Sequence, residues 1–275
     1  MQITRTKIDT SKKTSKKIVH VSDLHFYKKY PKKKLNDIID LVKKEEPDFV
    51  CITGDIIDKP EVTKLKEIKE YLKFYETISS ISKIIVILGN HDLLDDKKYI
   101  PEYEDFLTHL KQIKNVYLLR GGRQEFDDIA FLSYEPEKHT YKKEEQKLNQ
   151  NEELLIKKLP KASKEKYNVV LTHSPITIIK LKDRVYMKDY DLFLCGHTHD
   201  GLLPTFLSKN MNIHYGIISP TKIMFPKEVR GIYNQSPMII INGGIVKFSK
   251  TSHLFQKLDF LYPSSANVIE IHEKM

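Results

Sequence analysis

The sequence predicts an α/β domain with buried strands. Three observations carry that prediction. Short apolar runs of strand length recur along the chain, helical apolar patterns lie between several of them, and each run ends in a polar cluster rich in Asp, Asn and His.

Taken in order, residues 2–9 alternate loosely around Ile3 and Ile8 and predict an edge strand. Lys17–Ser22 then runs into Asp23, Asp48–Thr53 into Gly54-Asp55, and Lys83–Leu88 into Gly89-Asn90. Tyr167–Thr172 ends at His173, and Tyr190–Cys195 ends at Gly196-His197. Between the strands, Leu35, Ile38, Ile39, Leu41 and Val42 follow helical spacing, as do Leu65, Ile68, Tyr71, Leu72 and Tyr75. Pro47 and Pro60 punctuate the helix ends. The charged stretch 135–166 reads as an exposed helical excursion, with a helix over Glu152–Leu159. No repeat or linker divides the chain, so residues 1–275 are expected to form one domain, with 1–16 supplying a strand and a basic linker.

Composition narrows the function classes. Hydrophobic residues make up 40% and charged residues 30%, which suits a water-soluble domain. No apolar stretch approaches the roughly 20 residues of a membrane span. The first 17 residues carry no apolar leader core, so the chain as it stands is expected in the cytoplasm. Cys51 and Cys195 each lie in an apolar run and are expected to be buried and reduced. The net charge of +9 is almost all lysine; arginine occurs only at positions 5, 120, 123, 184 and 230. Without an Arg-rich face, the sequence argues against a nucleic-acid partner. Lys12–Lys17 and Lys28–Lys34 keep an anionic partner in view, and Phe26, Tyr27 and Tyr30 beside the second cluster suggest a peripheral contact with an anionic membrane. Leu254–Tyr262 is a second apolar segment that could join such a patch.

Five blocks carry the chemistry: Asp23-Leu24-His25, Gly54-Asp55-Ile56-Ile57-Asp58, Gly89-Asn90-His91-Asp92, His173, and Gly196-His197-Thr198-His199. Each is weak alone. Their shared position at strand ends is the informative feature, because ligand sites of α/β sheets gather there. Hydrolysis of a phosphate ester is slow because water is a poor nucleophile and the phosphoryl group is already negative. Two metal ions about 3.5–4 Å apart overcome both problems. Such a pair needs a bridging carboxylate and otherwise mostly neutral ligands, and the blocks offer two carboxylates, one amide and four imidazoles for it.

In their order and content the five blocks resemble the calcineurin-like metallophosphoesterase superfamily, whose pattern D-x-H, G-D-x-x-D, G-N-H-[DE], H and G-H-x-H spans Asp23–His199 here. The resemblance implies a four-layer α/β/β/α sandwich and a phosphomonoester or phosphodiester hydrolase working by attack of a metal-bridging hydroxide. It implies that Asp23, His25 and His199 bind one divalent ion, that Asn90, His173 and His197 bind the other, and that Asp55 bridges them. Manganese, iron and zinc suit such ligands. His91 would then be a catalytic group without a metal, oriented by the Asp58 carboxylate, and Asp92 a support behind the ligands.

Thr4–Lys12 followed by Lys17–His25 resembles, more narrowly, the bacterial YkuE-like branch, which implies a small-molecule or lipid-linked substrate. Two departures fall where the resemblance places the substrate entrance. Asp200-Gly201-Leu202 follows the last motif where that branch has Gly-Gly-Gln, and Ile245–Ser249 replaces its small-residue stretch. A cyclic-nucleotide phosphodiesterase, a nuclease and a metal-free scaffold share the same pattern; the complete ligand set argues against the last. Of the other histidines, His20 is expected in the core, and His109, His139, His253 and His272 at the surface. His214 follows the last motif in the chain and is a candidate for substrate contact. The oligomeric state is left open.

Overall fold

The computed structural model describes residues 1–27, 30–58, 65–94, 100–141, 147–204, 207, 214–218, 224–247 and 261–274. Along the chain these form β1 (Gln2–Thr10), β2 (Lys16–Val21), α1 (Lys32–Glu45), β3 (Phe49–Thr53), α2 (Leu65–Ser79), β4 (Lys83–Ile87), α3 (Pro101–Gln112) and β5 (Val116–Leu118). Then follow β6 (Arg123–Glu125), β7 (Ile129–Ser133), α4 (Leu148–Lys158), β8 (Tyr167–Leu171), α5 (Ile176–Leu181), β9 (Leu192–Cys195), β10 (Gly231–Tyr233), β11 (Met238–Ile241) and β12 (Ser265–Glu273). The strands make two six-stranded sheets, ordered β1-β12-β2-β3-β4-β5 and β10-β11-β9-β8-β7-β6.

Strand periodicity decides the layering. Successive side chains point to opposite faces of a sheet, so each strand serves two cores. Ile18, Phe49, Cys51 and Ile85 of the first sheet meet Phe131, Val169, Leu171 and Leu194 of the second in a core between the sheets. Their neighbours Val19, Val50, Ile52 and Ile84 face outward onto Ile38 and Val42 of α1, Tyr71 and Tyr75 of α2, and Phe106 and Leu110 of α3. On the other side Leu132, Val170, Phe193 and Ile241 pack against Leu155 of α4 and Ile178 and Ile179 of α5. The result is the four-layer α/β/β/α sandwich, with both faces of each sheet covered, which is why its strands read as continuous apolar runs.

Strands β2, β3, β4 and β5 run parallel in one sheet, and β7, β8, β9 and β11 run parallel in the other. Within each sheet their carboxyl ends therefore open on one edge. The expected edge strand is β1, paired in parallel with β12 alone among the described residues. Helix α1 stops where Glu46 takes a left-handed conformation and its N–H reaches back to the Val42 carbonyl, one residue before Pro47. Cys51 and Cys195 are both buried, in different layers. His20 is fully buried, while His109, His139 and His272 are exposed; His253 lies outside the described residues.

Two expectations need correction. Phe26 and Tyr30 do not form a surface patch with the lysines around them: Phe26 stacks on Tyr71 with ring centroids 4.2 Å apart, and both Phe26 and Tyr30 are buried. Their apolar rings have a deep slot beside α2, whereas Lys32 and Lys33 stay in water. The charged stretch after residue 135 is also less exposed than its composition suggests, because Thr140, Tyr141, Asn151 and Leu155 are buried. Pro60 and residues 254–260 of the apolar C-terminal segment lie outside the described residues. Among the described residues no helix is long and apolar enough to cross a membrane.

Candidate metal centre

The residues singled out from sequence converge at the carboxyl ends of the parallel strands. Among the described residues, three groups of side chains place potential ligand atoms within 4.8 Å of one another: Asp23, His25 and His199; His25, Asp55 and His91; Asp55, His173 and His197. Asp55 lies at the junction. Its Oδ2 is 3.2 Å from His173 Nε2 and 3.6 Å from His25 Nε2. Its Oδ1 is tied back by the His91 backbone N–H at 2.8 Å, which fixes the carboxylate plane. On one side, Asp23 Oδ1 stands 3.9 Å from His25 Nε2 and 3.7 Å from His199 Nε2. On the other, His173 Nε2 is 3.1 Å from Asn90 Oδ1 and 3.2 Å from His197 Nδ1.

The His173 and His199 rings are each aimed by their second nitrogen. His173 Nδ1 donates to the Thr53 carbonyl at 2.7 Å, and His199 Nδ1 donates to the Val246 carbonyl at 2.9 Å, so both present Nε2 to the centre. The backbone is bent to the same end. Asp23, His25, Asp55, His197 and His199 all have φ between 46° and 73°. Such left-handed residues cost roughly 1–2 kcal/mol each outside glycine, and they cluster at functional sites. Asp92 anchors the arrangement from below. Its carboxylate accepts from the backbone N–H groups of Ile56 (3.0 Å), Ile57 (2.9 Å) and Gly89 (2.8 Å), bolting the Asp55 loop to the Asn90–His91 loop. At Gly89 a Cβ would fall 2.2 Å from Asp55 Oδ1, so no other residue fits there.

Protonation follows from these contacts. Burial alone would raise Asp55, but His173, His91 and His25 hold it well below the usual carboxylate range. Asp23 is likewise held low, by His199 and His173 against burial. Burial lowers His173, yet Asp55 and Asp23 outweigh it and push its pKa up to about 9. With the proton held there, burial and the His173 charge push His197 down to about 3. Burial takes His199 to about 4. Burial and the Asp55 charge push Asp92 up to about 7, against its three N–H donors.

One contact differs from expectation. His91 Nδ1 donates to the Asp58 carbonyl oxygen at 2.9 Å, while the Asp58 carboxylate is 3.8 Å away. The same carboxylate oxygen stands 3.6 Å from His25 Nδ1. The cause is the path of the chain: Asp58 N donates to the Phe26 carbonyl, which carries the Asp58 backbone alongside the first motif. His91 keeps 32% of its side chain exposed, whereas His25 and His173 are sealed.

A family model described as calcineurin-like phosphoesterase matches residues 16–201, about two-thirds of the chain. The chain belongs to the calcineurin-like phosphoesterase family. Among curated proteins it is similar to the uncharacterized metallophosphoesterase Cj0846 of Campylobacter jejuni, 31% identical over 203 residues, which is 70% of this chain and 46% of that protein. It is also similar to the uncharacterized metallophosphoesterase YkoQ of Bacillus subtilis, 24% identical over 193 residues, which is 67% of this chain and 61% of that one. The chain thus aligns with about half the length of these relatives. A solved dimetal phosphatase from Danio rerio aligns over 86% of this chain and 90% of its own, at 14% identity and a TM-score of 0.43.

Tyr141 and Asn242, beside this candidate centre, were not legible as site residues. Tyr141 places its ring 5.9 Å from that of His173 and 5.7 Å from that of His197, and nothing in its charged surroundings marks it. Asn242 accepts from Gly244 N at 2.8 Å and donates to Asn267 at 2.7 Å and to the His20 carbonyl at 3.1 Å, shaping the turn that passes Asp23. Lys247 carried a readable signal, a lone charge in an apolar stretch. Such a group must find a partner when buried. His214 stacks on Tyr233 with centroids 4.2 Å apart and donates from Nδ1 to the Arg230 carbonyl.

Proposed function

We infer that the chain hydrolyses a phosphomonoester or phosphodiester, on a small or lipid-linked substrate, at a centre of two divalent ions. The carrying observation is Asp55, one carboxylate oxygen of which faces an imidazole from each half of the site. In this reading Asp23, His25 and His199 hold one ion, Asn90, His173 and His197 the other, and Asp55 spans both.

The donor set fits such ions. Asp23 Oδ1 and His25 Nε2 are buried without a hydrogen-bond partner among the described residues, although both face the space shared with His199. Buried polar atoms left so cost about 1–3 kcal/mol each, a cost that a bound cation removes. The mix of imidazole, carboxylate and amide without thiolate suits manganese, iron or zinc. When bound, the ions supply Lewis acidity toward the phosphoryl oxygens and lower the pKa of a water.

The remaining chemistry belongs to the protein. His91 is more exposed than His199, 32% of its side chain against 19%, and its Nδ1 is committed to the Asp58 carbonyl. Its Nε2 is then the atom that passes a proton to the leaving oxygen. Asp55 Oδ1, held by the His91 N–H, keeps that ring and the ligand set in one rigid frame. The test pairs metal content with turnover. Manganese-loaded protein should hold two equivalents and cleave p-nitrophenyl phosphate or bis-p-nitrophenyl phosphate, and His91→Ala should keep the metal and lose turnover. A protein that stays metal-free in excess manganese would overturn the reading.

A further inference from the structure

A second polar cluster flanks the His199 side of the centre. Lys247 is buried, and its Nζ donates to Asp200 Oδ2 at 2.6 Å, to Ser265 Oγ at 3.2 Å and to the Gly243 carbonyl. Asp200 directly follows His199, and Lys247 directly follows Val246. Those two neighbours are themselves bonded, since His199 Nδ1 donates to the Val246 carbonyl at 2.9 Å. The ion pair therefore closes a ring one residue beyond the bond that sets the His199 imidazole. With Nδ1 committed as donor, Nε2 is the bare nitrogen, 3.7 Å from Asp23 Oδ1.

Three further observations show that this ring is built rather than incidental. His199 and Asp200 both have left-handed backbones, φ 48° and 56°, which such residues keep only when their surroundings impose it. Gly243 leaves room for the pair, because a Cβ there would lie 1.9 Å from Asp200 Oδ2. The strip carrying Lys247 is also stitched to the first motif, with Ile245 N donating to the Ser22 carbonyl and Val246 N to the Asp23 carbonyl. All of Asn242–Lys247 lies beyond residue 201, outside the span that matches the family.

We propose that Lys247 and Asp200 are positioning residues, whose ion pair ties the Val246 carbonyl to the backbone of His199 and presents His199 Nε2 to the ion it shares with Asp23 and His25. The proposal rests on the two-metal reading above. Removing Lys247 alone strands a carboxylate and can unfold the chain, so the decisive variant is the double change Asp200→Ala with Lys247→Ala, which leaves no lone charge. Equilibrium dialysis with cobalt should show one of two affinities weakened about 10–100-fold and the other unchanged, in a protein of parental circular dichroism. Asp200→Asn, which keeps an acceptor for Lys247, should recover most of that loss. Histidine-selective ¹⁵N NMR on the metal-free protein gives a reading independent of loading: the His199 Nδ1–H signal should be present in the parent and lost in the double variant. A folded double variant with both affinities and that signal unchanged would overturn the proposal. A parent that binds no cobalt would instead sink the two-metal reading, with the NMR comparison still deciding whether the pair sets the ring.

Discussion

Replacing Asp92 by alanine should be among the most damaging single changes in the chain, although Asp92 is not proposed to touch metal or substrate. Its two oxygens satisfy three buried backbone donors, Oδ2 those of Ile56 and Gly89 and Oδ1 that of Ile57. Each donor left without a partner costs about 1–3 kcal/mol, so for three of them Asp92→Ala should lose on the order of 3–9 kcal/mol. That is a large part of the roughly 5–15 kcal/mol by which domains are stable. Asp92→Asn is the informative companion. Its carbonyl can take the Oδ2 position and keep two donors, while its NH2 meets the third, so it should lose about a third as much. The chain has no tryptophan, so urea unfolding of the metal-stripped protein is best followed by far-ultraviolet circular dichroism. An Asp92→Ala protein within about 1 kcal/mol of the parent, or an asparagine variant no better than alanine, would refute the reasoning, which rests on donors left bare.

The other predictions concern the centre itself. His91→Ala should cut turnover about 10²–10⁴-fold while leaving metal content unchanged, measured by steady-state kinetics beside elemental analysis. Gly89→Ala should empty the site in a folded protein, because its Cβ would sit 2.2 Å from Asp55 Oδ1; retention of two metal equivalents would count against the packing argument. The His173 pKa of about 9 makes metal binding and apoprotein stability move in opposite directions with pH. His173 is raised above its unfolded value, so its stabilisation of the metal-free fold is complete below about pH 6.5 and is lost as pH rises through about 9. A ligand must give up that proton, so metal affinity should rise about tenfold per pH unit over the same range and then level off. Calorimetry in buffers of different ionisation enthalpy should show proton release at pH 7.5, and none would contradict this assignment.

The fold was legible where the physics is local. Buried parallel strands must be apolar on both faces, and β2, β3, β4, β8 and β9 stand out as runs for that reason. Strands β6 and β12, each with an antiparallel neighbour, are less visible. β6 is Arg-Gln-Glu, and β12 alternates Val268, Ile269 and Ile271 with Asn267, Glu270 and His272, so neither reads as an apolar run. Tyr141 was illegible for another reason: its burial against His173 and His197 is a tertiary contact made from a charged segment that has no strong pattern of its own.

The two departures noted after the last motif and near residue 245 read as separate changes at a substrate entrance, since positions 47 residues apart carry no sign of contact. The structure makes them one feature, the Asp200–Lys247 pair, and turns it inward: Lys247 is buried, and burial of Asp200 is outweighed by the Lys247 ammonium, which keeps its carboxyl charged. A buried ion pair gains little stability over well-packed apolar residues, whereas loss of either partner alone is costly. Acquiring it one residue at a time is therefore unfavourable unless the pair does something that two small residues cannot. Holding a left-handed His199 against the Val246 carbonyl is such a task, because small residues would leave that backbone free to relax. The position that looked most apt to choose a substrate is, on this argument, one that sets a metal ligand, and discrimination among esters must be sought on the open side, around His91.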